Sequence, residues 1–318
     1  MSKYSQKPLS FEGLKTVPIV ARGGKVSVSQ FARPFPQGGG IQQLLDSFPD
    51  ILAGQAFRGV LDALKRARTE SRAILWGMGG HVIKCGLGDV LLDIMRRGWV
   101  TGFVMNGAAS IHDFEIAIAG QTSEDVEAVL PDGRFGAAEE TGREMNIAIA
   151  DGNRRTVGMG EALGKHLETL AKPGFAPHSV LADAYRAAIP VTVHVAVGTD
   201  TPHTHPQVDA AAVGETTHRD FRLLCSLMRG LHQGGVYLNL GSAVVLPEVF
   251  LKSVSVVRNL GHPLADFTTV NFDFLQHYRP KVNVVERPHA RSGGHGFAIT
   301  GHHEIMIPLL AAALVELT

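Results

Sequence analysis

Cysteine is almost absent from this sequence, which has only Cys85 and Cys225 in 318 residues. Two cysteines outside any CxxC or zinc-ribbon spacing cannot form a disulfide framework, and they suit a reducing compartment. An excess of either charge is also absent, since 30 basic residues balance 30 acidic ones and the pI is near 7.3. The composition therefore argues against a disulfide-rich secreted protein, and it gives no electrostatic footprint for a nucleic-acid partner.

Long apolar runs are missing as well. The C-terminal run IMIPLLAAALVEL is shorter than the roughly 20 residues that a membrane-spanning helix requires. The first residues, MSKYSQKPLSFEG, lack the apolar core of a signal peptide. We therefore expect a cytoplasmic protein without a membrane partner.

What the sequence does contain is an alternation of helical and strand patterns. Residues 1–50 are rich in Gly and Pro, as in ARGGKVSVSQFARPFPQGGG, and are predicted to form an N-terminal arm. In the remainder, QAFRGVLDALKRART has one apolar helical face, and SRAILWGMGG after it has the pattern of a buried strand ending in glycines. Similar units follow, so residues 51–318 are predicted to form a single α/β domain. We expect a mostly parallel sheet with helices on both faces, in a Rossmann-like arrangement.

Small and polar residues follow the predicted strands. They lie at Gly77–His81, Asn106–Asp113, Gly198–His205 and Gly241–Ala243, and at Asn271 with Asp273. Ligands of open parallel sheets collect at the carboxyl ends of the strands. Glycine also lets a ligand approach the backbone, and helix N-termini offer free N–H groups to phosphate. The pattern is not GxGxxG, but it favours a small-molecule ligand, with a dinucleotide as the first candidate.

Residues 77–113, GMGGHVIKCGLGDVLLDIMRRGWVTGFVMNGAASIHD, resemble the first cofactor-binding unit of the deoxyhypusine synthase family, without a gap. That family also includes a homospermidine synthase. Further similarity lies in LKTVPI, IPVTVHVAVGTD, DFRLLCSLM, GGVYLNLGSAVV, TVNFD and IMIPLLAAAL, which together cover most of the chain. The resemblance implies an NAD-binding fold and a homotetramer with its sites at subunit interfaces.

The resemblance also implies where catalysis would occur. Family members oxidise spermidine with NAD and pass its aminobutyl part to a lysine as an imine, but the position of that lysine falls on His289 here. Lys281 is the remaining substitute. Acidic residues that precede Asp113 in the family are replaced by Ile111 and His112, and a lysine–histidine pair is replaced by Leu246 and Pro247. A polyamine needs carboxylates around it, so we predict altered chemistry. The candidate catalytic residues are His289, Lys281, His112 and Asp113.

For the cofactor, the resemblance points to the turns after the strands. Asn106, Asp200 and Asn271 match family strand-end positions, whereas Gly80 and His81 replace a Ser-Asn pair and His302 replaces an acidic residue. The candidate NAD-binding residues are Gly79, Gly80, His81, Asn106, Gly107, Asp200, Gly241, Asn271 and His302.

Histidine is abundant, with 15 residues, and several are expected at the same sheet edge. His203 and His205 form an HxH pair that would turn both rings to one side of an extended segment and could bind a metal. Asp113, Asp200 or Asp209 could complete such a site. The same HTHP sequence is also typical of a polar turn.

Three hypotheses about function follow. The favoured one is an enzyme of the deoxyhypusine synthase-like fold that binds NAD or a related nucleotide and acts on a small amine-type substrate without the lysine imine. The second is a metal-dependent hydrolase that uses the histidine cluster. The third is a non-catalytic homologue that only binds a ligand.

Overall fold

The computed structural model describes residues 2–316, which contain six strands and twelve α-helices. The strands are β1 Ile74–Met78, β2 Gly102–Asn106, β3 Val191–His194, β4 Val236–Leu240, β5 Thr268–Asp273 and β6 His295–Thr300. The first helices are α1 Ile41–Ser47, α2 Leu52–Thr69, α3 Gly80–Lys84, α4 Gly88–Arg96, α5 Gly107–Ala119 and α6 Val126–Val129. The others are α7 Glu139–Arg154, α8 Met159–Leu170, α9 Val180–Arg186, α10 Ala210–Met228, α11 Val245–Asn259 and α12 His303–Glu316. None of the helices within this part of the chain is both long and apolar enough to cross a membrane.

All six strands form one parallel sheet in the order β3-β2-β1-β4-β5-β6. Successive side chains of a strand point to opposite faces. Accordingly, Trp76 of β1 packs in the larger core with α2, α4, α5 and α12, whereas Leu75 packs in a second core with α10 and α11. Helices therefore cover both faces, and the predicted Rossmann-like α/β fold is confirmed.

Residues 2–40 contain little regular structure beyond two short 3-10 turns, Ile19–Ala21 and Val28–Gln30. Their apolar side chains are open to solvent, and Val20 is 90% exposed. Residues 41–50, which the sequence analysis assigned to the arm, begin with α1, whose Leu45 is buried in the larger core. The division into an arm and a single domain remains a prediction.

Strand β3 lies at an edge of the sheet, and side chains of α10 bind its free backbone groups. Asp220 accepts a hydrogen bond from the Val193 N–H at 2.8 Å, and Thr217 donates one to the Val193 carbonyl at 2.8 Å. Asp220 also accepts from the Gly160 N–H at 2.9 Å, in the first turn of α8. Two helices are thus tied to the edge strand through one buried carboxyl group.

Burial raises the pKa of Asp220 to about 7, although the N–H groups of Val193, Gly160 and Met159 oppose the rise. A carboxyl group whose pKa is higher in the folded state stabilises the fold most at low pH. That contribution is complete below the ordinary value of 3.8 and is lost as the pH rises through about 7. The folded protein should therefore bind a proton here that the unfolded chain has released.

We expect the free energy of unfolding of the wild type to fall relative to that of Asp220→Asn as the pH rises from about 5 to 8. The relative change should be on the order of 2–3 kcal/mol, since each pKa unit corresponds to about 1.4 kcal/mol. Urea denaturation over a pH series measures it, with the exposed Asp62→Asn as a control that should parallel the wild type. Parallel curves for Asp220→Asn and the wild type would contradict the assignment.

Candidate functional site

The carboxyl edge of the sheet centres on β1 and β4, which are neighbours although β2 and β3 separate them in sequence. The backbones meet closely just beyond these strands. Gly79 N–H donates to the Leu240 carbonyl at 2.9 Å, and a Cβ atom on Gly79 would lie 2.4 Å from the Gly241 carbonyl oxygen. Gly241 itself has a φ of 63°, which glycine adopts without strain. Both predicted glycines therefore lie together where the strand order reverses, which is where ligands of this fold class bind.

Aromatic and imidazole rings surround this point. His303 is buried against Gly241, and its Nε2 lies 3.2 Å from the Phe272 carbonyl. The ring of His81 lies 5.7 Å from that of His303. His302 stacks on Phe274 with ring centroids 6.2 Å apart. The partly exposed Phe274 was not among the predicted site residues, and its only sequence signal is an apolar residue directly after a strand.

Asn106, Gly107 and Asp200 form a second group at this edge. The Asn106 side chain caps α5 by accepting from the Ala109 N–H at 2.9 Å. The Asp200 carboxylate lies directly against Gly107, where a Cβ atom would be 2.0 Å from it, and accepts from the Ala196 N–H at 2.8 Å. Burial raises the pKa of Asp200, opposed by that hydrogen bond and by His203. These three predicted residues therefore lie together.

Asn271 is fully buried and its amide group is engaged inside the protein. Its carbonyl oxygen accepts from Asn239 at 2.7 Å, and its amino group donates to Gln276 at 2.8 Å. The sequence placed Asn271 correctly near a strand end, but these contacts leave it supporting the loop after β5. Contact with a ligand at this position would require the loop to rearrange.

His112 faces Gly80 from α5 and belongs to a polar chain that the sequence analysis missed. Its Nδ1 lies 2.7 Å from the Thr122 hydroxyl, which donates its hydrogen to Glu115. Because that hydroxyl has no second hydrogen, Nδ1 of His112 must be the donor, and Nε2 of a neutral ring keeps its lone pair. Burial alone would raise the pKa of Glu115, but hydrogen bonds from His112, Thr122 and Thr141 hold it below its usual range. His112 can therefore act as a base backed by a carboxylate.

Asp113, the next residue, is turned into the protein. It accepts from the Ser179 hydroxyl at 2.6 Å and from the N–H groups of Val180 and Leu181 at 2.7 and 2.9 Å. Burial raises its pKa to about 6 against the effect of these bonds. An enclosed carboxyl group with three donors holds the start of α9 in place, so the geometry gives the predicted catalytic Asp113 a structural role.

His203 and His205 lie in or beside a 3-10 helix, Thr201–Thr204. The predicted extended segment is therefore wrong, and the argument that alternation turns both rings to one side does not apply. His205 packs on Gly142 and lies 3.3 Å from Glu139, while Nδ1 of His203 is buried without a hydrogen-bond partner. Within residues 2–316, the two rings do not form a three-ligand metal group with any acidic residue.

His289 lies apart from the edge, whereas Lys281 lies in the segment that follows the carboxyl end of β5. Nε2 of His289 is 2.7 Å from the hydroxyl of Thr269, which is four residues before the end of β5, or about 13 Å along the strand. Lys281 is exposed in a π-helical segment, Pro280–Glu286. The structure therefore does not bring the predicted His289 to the carboxyl edge, whereas Lys281 follows the end of β5 by eight residues and is exposed.

Solved structures with the same fold include a putative deoxyhypusine synthase from Entamoeba histolytica, with 13% identity and a TM-score of 0.50 over 89% of this chain and 95% of that one. Unliganded AgrE has 19% identity and a TM-score of 0.53 over 83% of this chain and 33% of its own. AgrE in a ternary complex with ornithine and NAD+ has 16% identity and a TM-score of 0.50 over the same shares. The chain thus spans about a third of the length of AgrE.

No protein-family model matches the chain, and no curated protein matches it. At these identities the structural similarity shows the fold alone. That fold is one on which nucleotide-binding proteins are built.

We expect Gly79→Ala to lower the free energy of unfolding by about 3 kcal/mol, because the added methyl group meets backbone atoms that cannot move aside. Gly214→Ala is the matched control. Gly214 is exposed on α10 with no atom within 4 Å of its added Cβ, so the substitution should raise stability by about 0.5–1 kcal/mol. Guanidinium denaturation of both variants measures the difference, and equal stabilities would refute the proposed close contact.

Proposed function

We propose that this protein binds NAD or a related nucleotide at the carboxyl edge of its sheet and acts there on a small amine-type substrate, without a lysine imine. The observation that carries the proposal is the strand order β3-β2-β1-β4-β5-β6, with glycines at the carboxyl ends of the neighbouring strands β1 and β4. In sheets of this order, dinucleotides bind across the reversal point. The solved complex of AgrE with ornithine and NAD+ supports the proposal through its fold.

Asp200 is the residue best suited to the ribose. Its carboxylate is buried and receives a single hydrogen bond from the described residues, so it retains acceptor sites for hydroxyl groups. Its negative charge would disfavour a phosphate at the same place. Phe274 and His302 offer a partly exposed stacked pair on which a flat base or nicotinamide ring could lie.

The amine component of the proposal rests on a carboxylate at this edge and on the resemblance to the deoxyhypusine synthase family. Asp273 ends β5 and supplies that carboxylate. An ammonium group needs such partners when it leaves water. His112 would accept the proton from the substrate, because its Nε2 is free in the neutral ring and Glu115 stabilises the charge that forms.

We further propose that the protein is a homo-oligomer, and a tetramer as the family resemblance implies. The exposed apolar side chains of residues 2–40 support it, since they gain little by packing on their own chain. Closed symmetric assemblies are the usual form of soluble oligomers.

We expect NAD+ to bind the wild-type protein and Asp200→Asn to bind it about tenfold more weakly, because a charge-assisted hydrogen bond contributes on the order of 1.5 kcal/mol. Isothermal titration calorimetry measures both affinities. Asp209→Asn is the matched control, since Asp209 caps α10 through the Ala212 N–H outside the site. Absence of heat with millimolar NAD+ would refute the nucleotide site, and equal affinities for the two variants would refute the role of Asp200.

We expect no aminobutyl adduct after borohydride reduction of the protein with NAD+ and spermidine. Lys281 is exposed on the surface, and a ring nitrogen of His289 has no second hydrogen to lose when an imine forms. Peptide mass mapping checks this result, with a Lys281→Ala protein as the control. A stoichiometric adduct on Lys281 that this substitution removes would restore the family's chemistry.

A further inference from the structure

A compact group of potential metal ligands lies beside the carboxyl ends of β1 and β4. It consists of His81, Cys85 and Glu304. One ligand atom from each residue lies within 4.8 Å of the others. Among residues 2–316, this is the only group of three or more His, Cys, Asp or Glu side chains with that property. It does not include His203 and His205, the pair that the sequence had indicated for a metal.

The backbone of α3 determines the relative positions of the first two of these side chains. His81 and Cys85 are one helical turn apart at the two ends of α3, where the Cys85 N–H donates to the His81 carbonyl at 2.9 Å. The start of α3 is held because Gly80 packs against Ala108 and His112. Residues four apart on a helix share one face, so the imidazole and the thiol point the same way.

Glu304 approaches from the other side, in the first turn of α12. Its neighbour His303 is buried against Gly241 and fixes the start of that helix. Oε2 of Glu304 lies 3.7 Å from Sγ of Cys85, close enough for the thiol to donate a weak hydrogen bond. Two independently anchored helices thus bring a nitrogen, a sulfur and an oxygen donor together.

We propose that His81, Cys85 and Glu304 bind a divalent ion of zinc-like character. Zinc accepts imidazole nitrogen, thiolate sulfur and carboxylate oxygen, and prefers four ligands in a tetrahedron. Three protein ligands leave one position for water or an anionic group of a small molecule. His81 and Glu304 are exposed, which keeps that position accessible.

In the absence of an ion, Cys85 and Glu304 still make their own contact. Burial, the negative charge of Glu304 and the hydrogen bond to it raise the pKa of the Cys85 thiol. An ion would replace the hydrogen between sulfur and oxygen, and the proton would leave to solvent. His81 takes no part in the thiol–carboxylate hydrogen bond, so the effect of removing His81 separates a metal site from that bond alone.

The test is a titration of chelator-treated full-length protein with Co2+, in the absence of nucleotide. We expect one Co2+ per chain and a thiolate-to-cobalt charge-transfer band in the near ultraviolet. Zn2+ should displace the cobalt, and its affinity follows from competition with a chromophoric chelator. Because no nucleotide is present, the result does not depend on whether the protein binds NAD+.

We expect Cys85→Ser to abolish the band, and His81→Ala and Glu304→Gln to weaken Zn2+ binding by at least about 10–100-fold, the loss that even outer partners of a metal site cause. Cys225→Ala and His277→Ala are controls, because Cys225 is buried in the second core and His277 is exposed after β5. Thermal melting of each variant confirms folding. Absence of the band in the wild type, or equal affinities for His81→Ala and His277→Ala, would overturn the proposal.

Discussion

The close contact between the backbones of Gly79 and Gly241 positions the starts of α3 and α12 at the carboxyl edge. Because a side chain on Gly79 would overlap the carbonyl group of Gly241, β1 and β4 can approach to this distance only with glycine there. The first turn of α3 starts directly after Gly79, and the buried ring of His303 rests on Gly241. The contact between Gly79 and Gly241 therefore fixes the positions of both His81 and Glu304, although these two residues are more than 200 residues apart in sequence.

The sequence predicted the layers of this fold because the strands are continuous apolar runs and the amphipathic helices carry one apolar face. It also located the strand ends, since glycine, asparagine and aspartate interrupt those runs. Asn106, Gly107 and Asp200 came together in the structure for this reason. Parallel strands all end at one edge, so residues that follow two paired strands, such as β2 and β3, lie close together.

The positions of other candidate residues depend on tertiary contacts, which hydrophobic periodicity in the sequence does not predict. His289 required the register of its segment against β5, and the segment bonds to Thr269 near the start of that strand. Asp113 is adjacent to His112, yet successive side chains on a helix point about 100° apart, so Asp113 points inward and His112 points toward Gly80. Glu115 was missed because its partner Thr122 lies beyond the end of α5. Such contacts arise only when the tertiary packing is known.

The binding of β3 by Asp220 and Thr217 also limits how these molecules can associate. An open strand edge is a template for another chain, and many proteins protect such edges with charges or bulges. Here α10 supplies an acceptor and a donor to Val193, as a further strand would. A second sheet cannot be added on this side without first removing α10, so edge-to-edge aggregation through β3 would have to wait for partial unfolding of that helix.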